Sequence, residues 1–346
     1  MHGQKYLPDA MEASLAEELL DIVNSSWKSQ AICVAARLGI ADILNHGPQT
    51  AETLASKVNC HPPSLHRLLN ALASLGVLKC NDDHTFSLSQ LGQSLRSDTH
   101  YSIRSWTVWW GRYLWPVWGN LFYSIRSGRC AGKLLSRENG FVSMEKDPDM
   151  SATFNEAMAE LTCMLAPSIL SQYNFAEVKH VLDIGGGNGE LLAILLQAYP
   201  EMHGTLFDQP YALEAARNRL TDQSSSRCSF VTGNFLESVP ECKDRIILKN
   251  ILHDWDDAQC AVILNNCKRS MNREAKLLVL ELVLEPASDV CPDQSAFHSD
   301  LNMLVALGGR ERNLQQFETL LTGSGFRIEQ VLLLHGNFKL IEAVLM

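Results

Sequence analysis

From residue 178 onward the chain alternates short apolar runs with helical segments, and this alternation narrows its possible folds more than any other feature. Candidate strands are Val181–Ile184, Gly204–Phe207, Ser229–Val231, Arg245–Leu248, Lys276–Leu282, Ile328–Leu333 and Lys339–Val344. Helices at Glu190–Ala198 and Tyr211–Leu220 separate the earlier ones. Strands that exchange with helices in this way predict a doubly wound α/β domain with a largely parallel sheet. Ligands in such domains bind beyond the carboxyl ends of the strands. His253, in "LKNILHDWDDAQC" (248–260), stands just past the end of the fourth strand, where a site residue belongs.

The stretch "VLDIGGGNGELLAILLQAYP" (181–200) is a strand, a glycine turn and a helix. Gly185, Gly187 and Gly189 let the backbone turn tightly and approach a ligand without Cβ clashes. A dinucleotide fingerprint counted from Gly185 requires glycine at 190, and Glu190 is there. Asp183 places a carboxylate before the turn, where it repels a pyrophosphate but suits a cationic amino-acid tail. The second strand ends at Asp208, 19 residues beyond Gly189, and a carboxylate there can accept from both hydroxyls of a ribose. Gly233, Asn234 and Phe235 follow the third strand, placed to meet a purine by polar edge and aromatic face. A ligand with adenine and ribose but no phosphates fits all three pieces: S-adenosylmethionine, with S-adenosylhomocysteine as its product. Each piece also has a plainer use, since glycines simply turn and Asp208 can cap a helix.

The N-terminal part is different. Apolar positions at Leu15, Leu19, Val23, Trp27, Ala31, Val34 and Leu38 have helical spacing. A capped helix (Thr50 to Val58), a Pro-Pro turn, a second helix (Ser64 to Leu75) and two short strands then make a winged-helix pattern. DNA binding does not follow. Residues 1–100 hold seven Lys and Arg against ten Asp and Glu, a net of −3, and the second helix offers one Arg and one His. Burial in a dimer interface is the better use of this domain. In the helical segment 101–170, five of the seven tryptophans lie between Trp106 and Trp118. They either pack between helices or subunits, or wall a flat organic substrate, Trp106 being a candidate.

The chain's net charge of −10 argues against a polyanionic partner. No apolar run reaches the roughly 18 residues of a membrane span. The acidic N-terminus lacks a signal peptide's layout, and the ten cysteines form no C-x-x-C pair. We therefore expect a cytoplasmic protein with reduced thiols, no protein metal site, no nucleic acid and no membrane.

With "DPDMSATFNEAM" (147–158), "LDIGGGNG" (182–189), "FDQP" (207–210), "LKNILHDWDD" (248–257) and "DLNMLVALGGRER" (300–312), the sequence resembles the small-molecule O-methyltransferase family. That family includes plant caffeate and flavonoid enzymes, animal acetylserotonin methyltransferase and bacterial phenazine or polyketide methyltransferases. The resemblance covers nearly the whole chain. It implies a Rossmann-like class I methyltransferase sheet at 171–346, a helical linker contributing to the substrate pocket at 101–170, and an all-α/winged-helix dimerisation domain at 1–100, hence a homodimer. It also implies that His253 is the general base, that Glu281 and Glu311 are its two flanking acids, and that Lys249 lies near the cofactor. Phe154, Met158 and Met303 match pocket-lining positions, and Asn302 joins them in the expected substrate-binding set. The sequence departs from the family at Asn234, where an aspartate is usual; its carbonyl can still accept from an adenine amino group.

Methyl transfer from a sulfonium is an in-line displacement, so the protein must mainly align the acceptor and remove its proton. A phenol with a pKa near 10 is a poor nucleophile at neutral pH, and a histidine can take its proton as the methyl moves. A carboxylate on the far ring nitrogen fixes the tautomer and supports the imidazolium. The expected substrate is a hydroxylated flat aromatic or polyketide-like molecule. Other expectations are N- or C-methylation, a non-methylating reaction such as a hydroxylation or pericyclic step with bound cofactor, or a cofactor-sensing DNA-binding regulator.

Overall fold

The computed structural model describes residues 10–136, 140–220, 226–242, 244–285 and 294–346. Residues 1–9, on which the reading of a leader-free N-terminus partly rests, lie outside them. The chain divides into two compact units, Met1–Arg112 and Tyr113–Met346, with the division falling inside the segment expected to be a helical linker.

The first unit holds helices α1 (Ala10–Arg37), α2 (Ile40–Leu44), α3 (Ala51–Val58) and α4 (Pro62–Ser74), strands β1 (Leu78–Cys80) and β2 (Phe86–Leu88), and helix α5 (Arg104–Trp109). The hydroxyl of Thr50 accepts from the Thr53 N–H and caps α3. Helix α4 begins two residues earlier than the sequence predicts because Pro62 and Pro63 occupy its first turn, where a missing N–H costs nothing. β1 and β2 pair antiparallel as the wing, with Leu78 opposite Leu88. Leu54, Leu69, Leu72 and Phe86 fill this unit's core. Along α1, in contrast, Leu19, Ile22, Val23 and Trp27 are exposed in the single chain, Trp27 to 71%.

The second unit opens with short helices α6 (Trp115–Trp118), α7 (Leu121–Ser127), α8 (Ala131–Ser136) and α9 (Gly140–Lys146), then the long α10 (Pro148–Gln172). Asp147 caps α10 by accepting from Met150. The alternating part follows: β3 (His180–Ile184), α11 (Glu190–Ala198), β4 (His203–Asp208), α12 (Pro210–Arg219), β5 (Cys228–Thr232), β6 (Arg245–Lys249), α13 (Asp257–Ser270) and β7 (Lys276–Leu284). It ends with α14 (Gln294–Ala306), β8 (Arg312–Asn313), α15 (Leu314–Gly323), β9 (Phe326–Leu333) and β10 (Phe338–Leu345). All seven expected strands are present, in the sheet order β5-β4-β3-β6-β7-β10-β9. The first five are parallel, and β10 is antiparallel to both its neighbours because a hairpin returns it beside β9. The additional two-residue β8 pairs with the end of β7.

Strand β7 is buried on both faces, so its apolar side chains serve two cores in turn. Leu277 and Val279 belong to one, with Phe317 and Ile341. Leu278 and Leu280 belong to the other, with Ile169 and Leu192. The register places Ile184 beside both Phe207 and Leu248, and Leu248 beside Val279. Gly185, Asp208 and Lys249 therefore mark one edge of the sheet, and Glu281, still within β7, stands one residue past the level of Lys249. Among the described residues, no helix is long and apolar enough to cross a membrane.

Candidate active site

A cavity of about 330 Å³ lies at that edge within the second unit. The strands contribute Asp183, Asp208 and Lys249 to its wall, the loops beyond them Gly185, Gly187 and Trp255, and α10 contributes Phe154, Asn155, Met158 and Thr162. The glycine turn is shaped by what a side chain would strike. Gly185 has φ 67°, and a Cβ there would lie 2.4 Å from Ile251 Cδ1; one on Gly186 would lie 2.4 Å from Asp183 Oδ2. The turn stays narrow because only hydrogen occupies those places.

Asp208 is tied to the turn. Its Oδ2 accepts from the Gly187 N–H (2.8 Å) and its Oδ1 from the Gln209 N–H (2.6 Å). Burial raises its pKa to about 6 against the pull of those two donors. A carboxylate has about four acceptor sites, so each oxygen can take a further donor from the cavity. Asp183 is buried, and its Oδ2 has no hydrogen-bond partner. Burial pushes its pKa up to about 7, with the Lys249 charge acting the other way. Lys249 is itself held below its usual range by burial, with Asp183 and Glu281 opposing.

Of Gly233, Asn234 and Phe235, the residues expected to meet a purine, Asn234 and Phe235 line the cavity. Phe235 and Trp255 meet edge to face, centroids 5.8 Å apart, and make an aromatic corner of the wall. Asn234 also lines the cavity, but its amide already closes its own turn: Oδ1 accepts from Leu236 N (3.0 Å) and Nδ2 donates to Glu237 (3.1 Å). Gly233 is outside the wall. A Cβ on it would meet the Phe207 ring at 2.4 Å, so packing against that ring already requires glycine there.

Beyond β6 a short turn, Leu252–Asp254, carries the imidazole. His253 Nδ1 lies 3.1 Å from Glu311 Oε1 and 3.6 Å from Glu281 Oε2. Glu281 comes from β7 and uses its other oxygen to accept from the N–H groups of Ile251 (3.0 Å) and Leu252 (2.8 Å). Glu311 precedes β8; its Oε1 also accepts from Ser299 (2.7 Å), and its own N–H donates to Asp300 (2.9 Å). Both glutamates are fully buried side chains, and each keeps one carboxylate oxygen without a hydrogen-bond partner. Burial by itself lowers the His253 pKa, but the negative charges of Glu281, Asp254 and Glu311 outweigh it and push it up to about 10.

The structure thus brings His253, Glu281 and Glu311 together. His253 itself is not part of the cavity wall, whereas its neighbour Asp254 is. Asp254 Oδ1 lies 3.4 Å from His253 Nε2, and burial lifts its pKa to about 7. Sequence reasoning gives Asp254 little weight; its place directly after the histidine is the available signal. Sequence reasoning also misses Asn250. It is a non-glycine residue at φ 54°, and its buried amide oxygen has no hydrogen-bond partner at the cavity wall.

Of the expected substrate residues in this unit, Phe154 and Met158 line the cavity and Asn302 and Met303 do not. Asn302 is committed elsewhere on α14, accepting from Trp118 Nε1 (2.9 Å), and Met303 is buried. Trp106 stands half-buried on α5 of the first unit. His253, Glu281 and Glu311 each offer a ligand atom within 4.8 Å of the others, a spacing an ion can bridge.

Comparison with known proteins agrees with this architecture. The O-methyltransferase domain family matches residues 118–327, and the O-methyltransferase dimerisation domain family matches residues 20–98. Phenazine O-methyltransferase PhzM of Lysobacter antibioticus is 37% identical over 330 residues, covering 95% of this chain and 96% of that protein. Phenazine-1-carboxylate N-methyltransferase of Pseudomonas aeruginosa is 28% identical over 331 residues, covering 95% and 97%. The crystal structure of LaPhzM superposes with a TM-score of 0.92 at 36% identity, covering 96% of this chain and 99% of that one. The O-methyltransferase NcsB1 from neocarzinostatin biosynthesis, solved with S-adenosylmethionine and 2-hydroxy-5-methyl naphthoic acid, gives 0.78 at 30% identity, covering 92% and 96%. With both of its units matched and an imidazole whose Nδ1 faces two buried acids at the sheet edge, this chain belongs to the O-methyltransferase family.

Proposed function

We propose that the chain is an S-adenosylmethionine-dependent O-methyltransferase. It moves a methyl group to a hydroxyl, phenolic in character, of a flat aromatic or polyketide-like small molecule. The observation that carries this reading is the placement of His253 on Glu311 and Glu281 at the same sheet edge as the glycine turn and Asp208.

The cavity suits the methyl donor. Asp208 has acceptor capacity left for a ribose, the buried orphan oxygen of Asp183 calls for a donor such as an ammonium group or water, and the glycine turn leaves room beside both. When bound, S-adenosylmethionine supplies a methyl group already activated by its sulfonium charge. The remaining work belongs to the chain. Phe154 and Met158 hold the face of the acceptor, His253 takes its hydroxyl proton, and Glu311 and Glu281 orient the ring and balance the imidazolium. Asp254, between the cavity and Nε2, accepts from the acceptor's hydroxyl or relays its proton. A conjugate acid with a pKa near that of a phenol makes this transfer close to thermoneutral.

Incubation with methyl-labelled S-adenosylmethionine and a panel of flat phenols, read by mass spectrometry, tests the proposal. Label is expected on an acceptor oxygen, with the rate unchanged by a chelator. Label on nitrogen, as the Pseudomonas relative's name implies for that enzyme, overturns the hydroxyl assignment. A rate lost to chelator overturns the metal-free base.

We also infer a homodimer through the first unit, supported by the dimerisation-domain match and by the exposed Leu19, Ile22, Val23 and Trp27 of α1. An apolar stripe of this kind is an interaction surface. Light scattering at micromolar concentration is expected to give twice the 38.5 kDa chain mass; a stable monomer contradicts the assignment.

A further inference from the structure

The turn that carries His253 is held from two sides. Glu281 takes the N–H groups of Ile251 and Leu252. The carbonyls belong to the Gly309–Arg312 segment. Arg310 N–H donates to His253 O (2.8 Å). Arg312 Nη1 donates to Leu252 O (2.7 Å) and Nη2 to Trp255 O (2.9 Å). Gly309 lies so close that a Cβ on it would be 2.0 Å from His253 O.

Arg312 is fully buried, and its donors are matched by those two carbonyls and by Asp257 Oδ1 at 2.8 Å from Nη2 and 3.1 Å from Nε. A buried guanidinium without such partners is strongly destabilising. The shape of the fork matters as much as its charge. A planar group with donors in fixed directions can hold two carbonyls at once, whereas an ammonium is a single point charge. Backbone pairing of Arg312 with Val283 on β7 fixes where the fork starts. Adjacent side chains entering a strand point to opposite faces. Glu311 thereby reaches the imidazole ring while Arg312 reaches the backbone that carries it.

We propose that Arg312 is a positioning residue for methyl transfer: it locks the carbonyls on either side of His253 and Asp254, so that one dipeptide sets both the ring's partner and the ring's place. The inference rests on His253 being the base. Arg312 does not itself line the cavity and makes no hydrogen bond to the imidazole; it acts through the backbone of the turn, at Leu252 O and at Trp255 O.

The test compares Arg312→Lys, Arg312→Met and Gly309→Ala with the native dimer and with His253→Ala. A displacement of about 1 Å can cost roughly 100-fold in rate. Arg312→Met and Gly309→Ala are expected to lower kcat about 100-fold, with the donor's KM within about threefold, and Arg312→Lys to recover part of the loss. The groups facing His253 are Asp254, Glu281 and Glu311, with Asp300 beside Glu311 and Glu281 in turn acting on Lys249. As the ring leaves the carboxylates, its titration, followed by NMR of nitrogen-labelled histidine and assigned by loss in His253→Ala, moves to lower pH. Activity lost only in proportion to folded protein, with His253 titrating as in the native chain, overturns the proposal. Full activity in His253→Ala overturns the base assignment instead, and the titration still decides whether Arg312 places the ring. If Arg312→Met does not fold, Arg312→Lys and Gly309→Ala carry the same readouts.

Discussion

His253→Ala is expected to reduce kcat by about 10²- to 10⁴-fold, the usual contribution of a positioned general base. Binding of S-adenosylmethionine should persist, because Asp208 and the glycine turn are separate from the imidazole's contacts. The pH dependence gives a second sign to check. Three carboxylates raise the His253 pKa above the ordinary value near 6.5, so the free enzyme gives up that proton only at alkaline pH. The acidic limb of kcat/KM therefore lies on the alkaline side of 6.5. Glu311→Gln removes one negative charge beside Nδ1, which lowers the pKa and shifts the limb toward acid. It also replaces an acceptor-only group by an amide, so the tautomer is less well fixed and the plateau rate falls. A limb that stays in place in Glu311→Gln shows that the group titrating there is not His253.

Asp208→Ala should weaken S-adenosylmethionine about 100-fold or more in a calorimetric titration. A hydrogen bond to a charged group contributes roughly 1.5–3 kcal/mol, and two such bonds to a ribose give at least about 3 kcal/mol, or about two decades in Kd. A further loss comes from the turn itself, since Gly187 N–H and Gln209 N–H lose their acceptor. At saturating donor, kcat should stay within about tenfold of native, because Asp208 has no contact with the histidine cluster. An unchanged Kd removes Asp208 from the donor site and leaves it as a brace for the glycine turn.

Much of this arrangement is legible in the sequence, for identifiable reasons. The seven strands can be recognised because each is an apolar run bounded by turn residues, and β8 cannot because two residues carry no pattern. Gly185, Asp208 and Lys249 lie on the cavity because strand ends fix their place. The helix-borne residues are harder. Phe154 and Met158 differ by four positions on α10 and share a face. Asn302 and Met303 stand close to the "GGRER" motif in sequence, yet the rotation of α14 turns Asn302 toward Trp118. Asp254 depends on the shape of a three-residue turn, which no periodicity encodes. Gly233 shows a further constraint, a glycine against which an aromatic neighbour packs so closely that a Cβ would strike it.

Helix α10 divides along its length. Its first turns present Phe154 and Met158 to the cavity, while Leu165 and Ile169, two and three turns on, are buried in the core beside β3 and β7. The shape of the cavity wall and the cohesion of the fold are thus written at opposite ends of one continuous rod. Sequence change can accumulate at its front without disturbing the packing at its back. An architecture with this division can reshape its cavity while the cluster of His253, Glu281 and Glu311 stays the same.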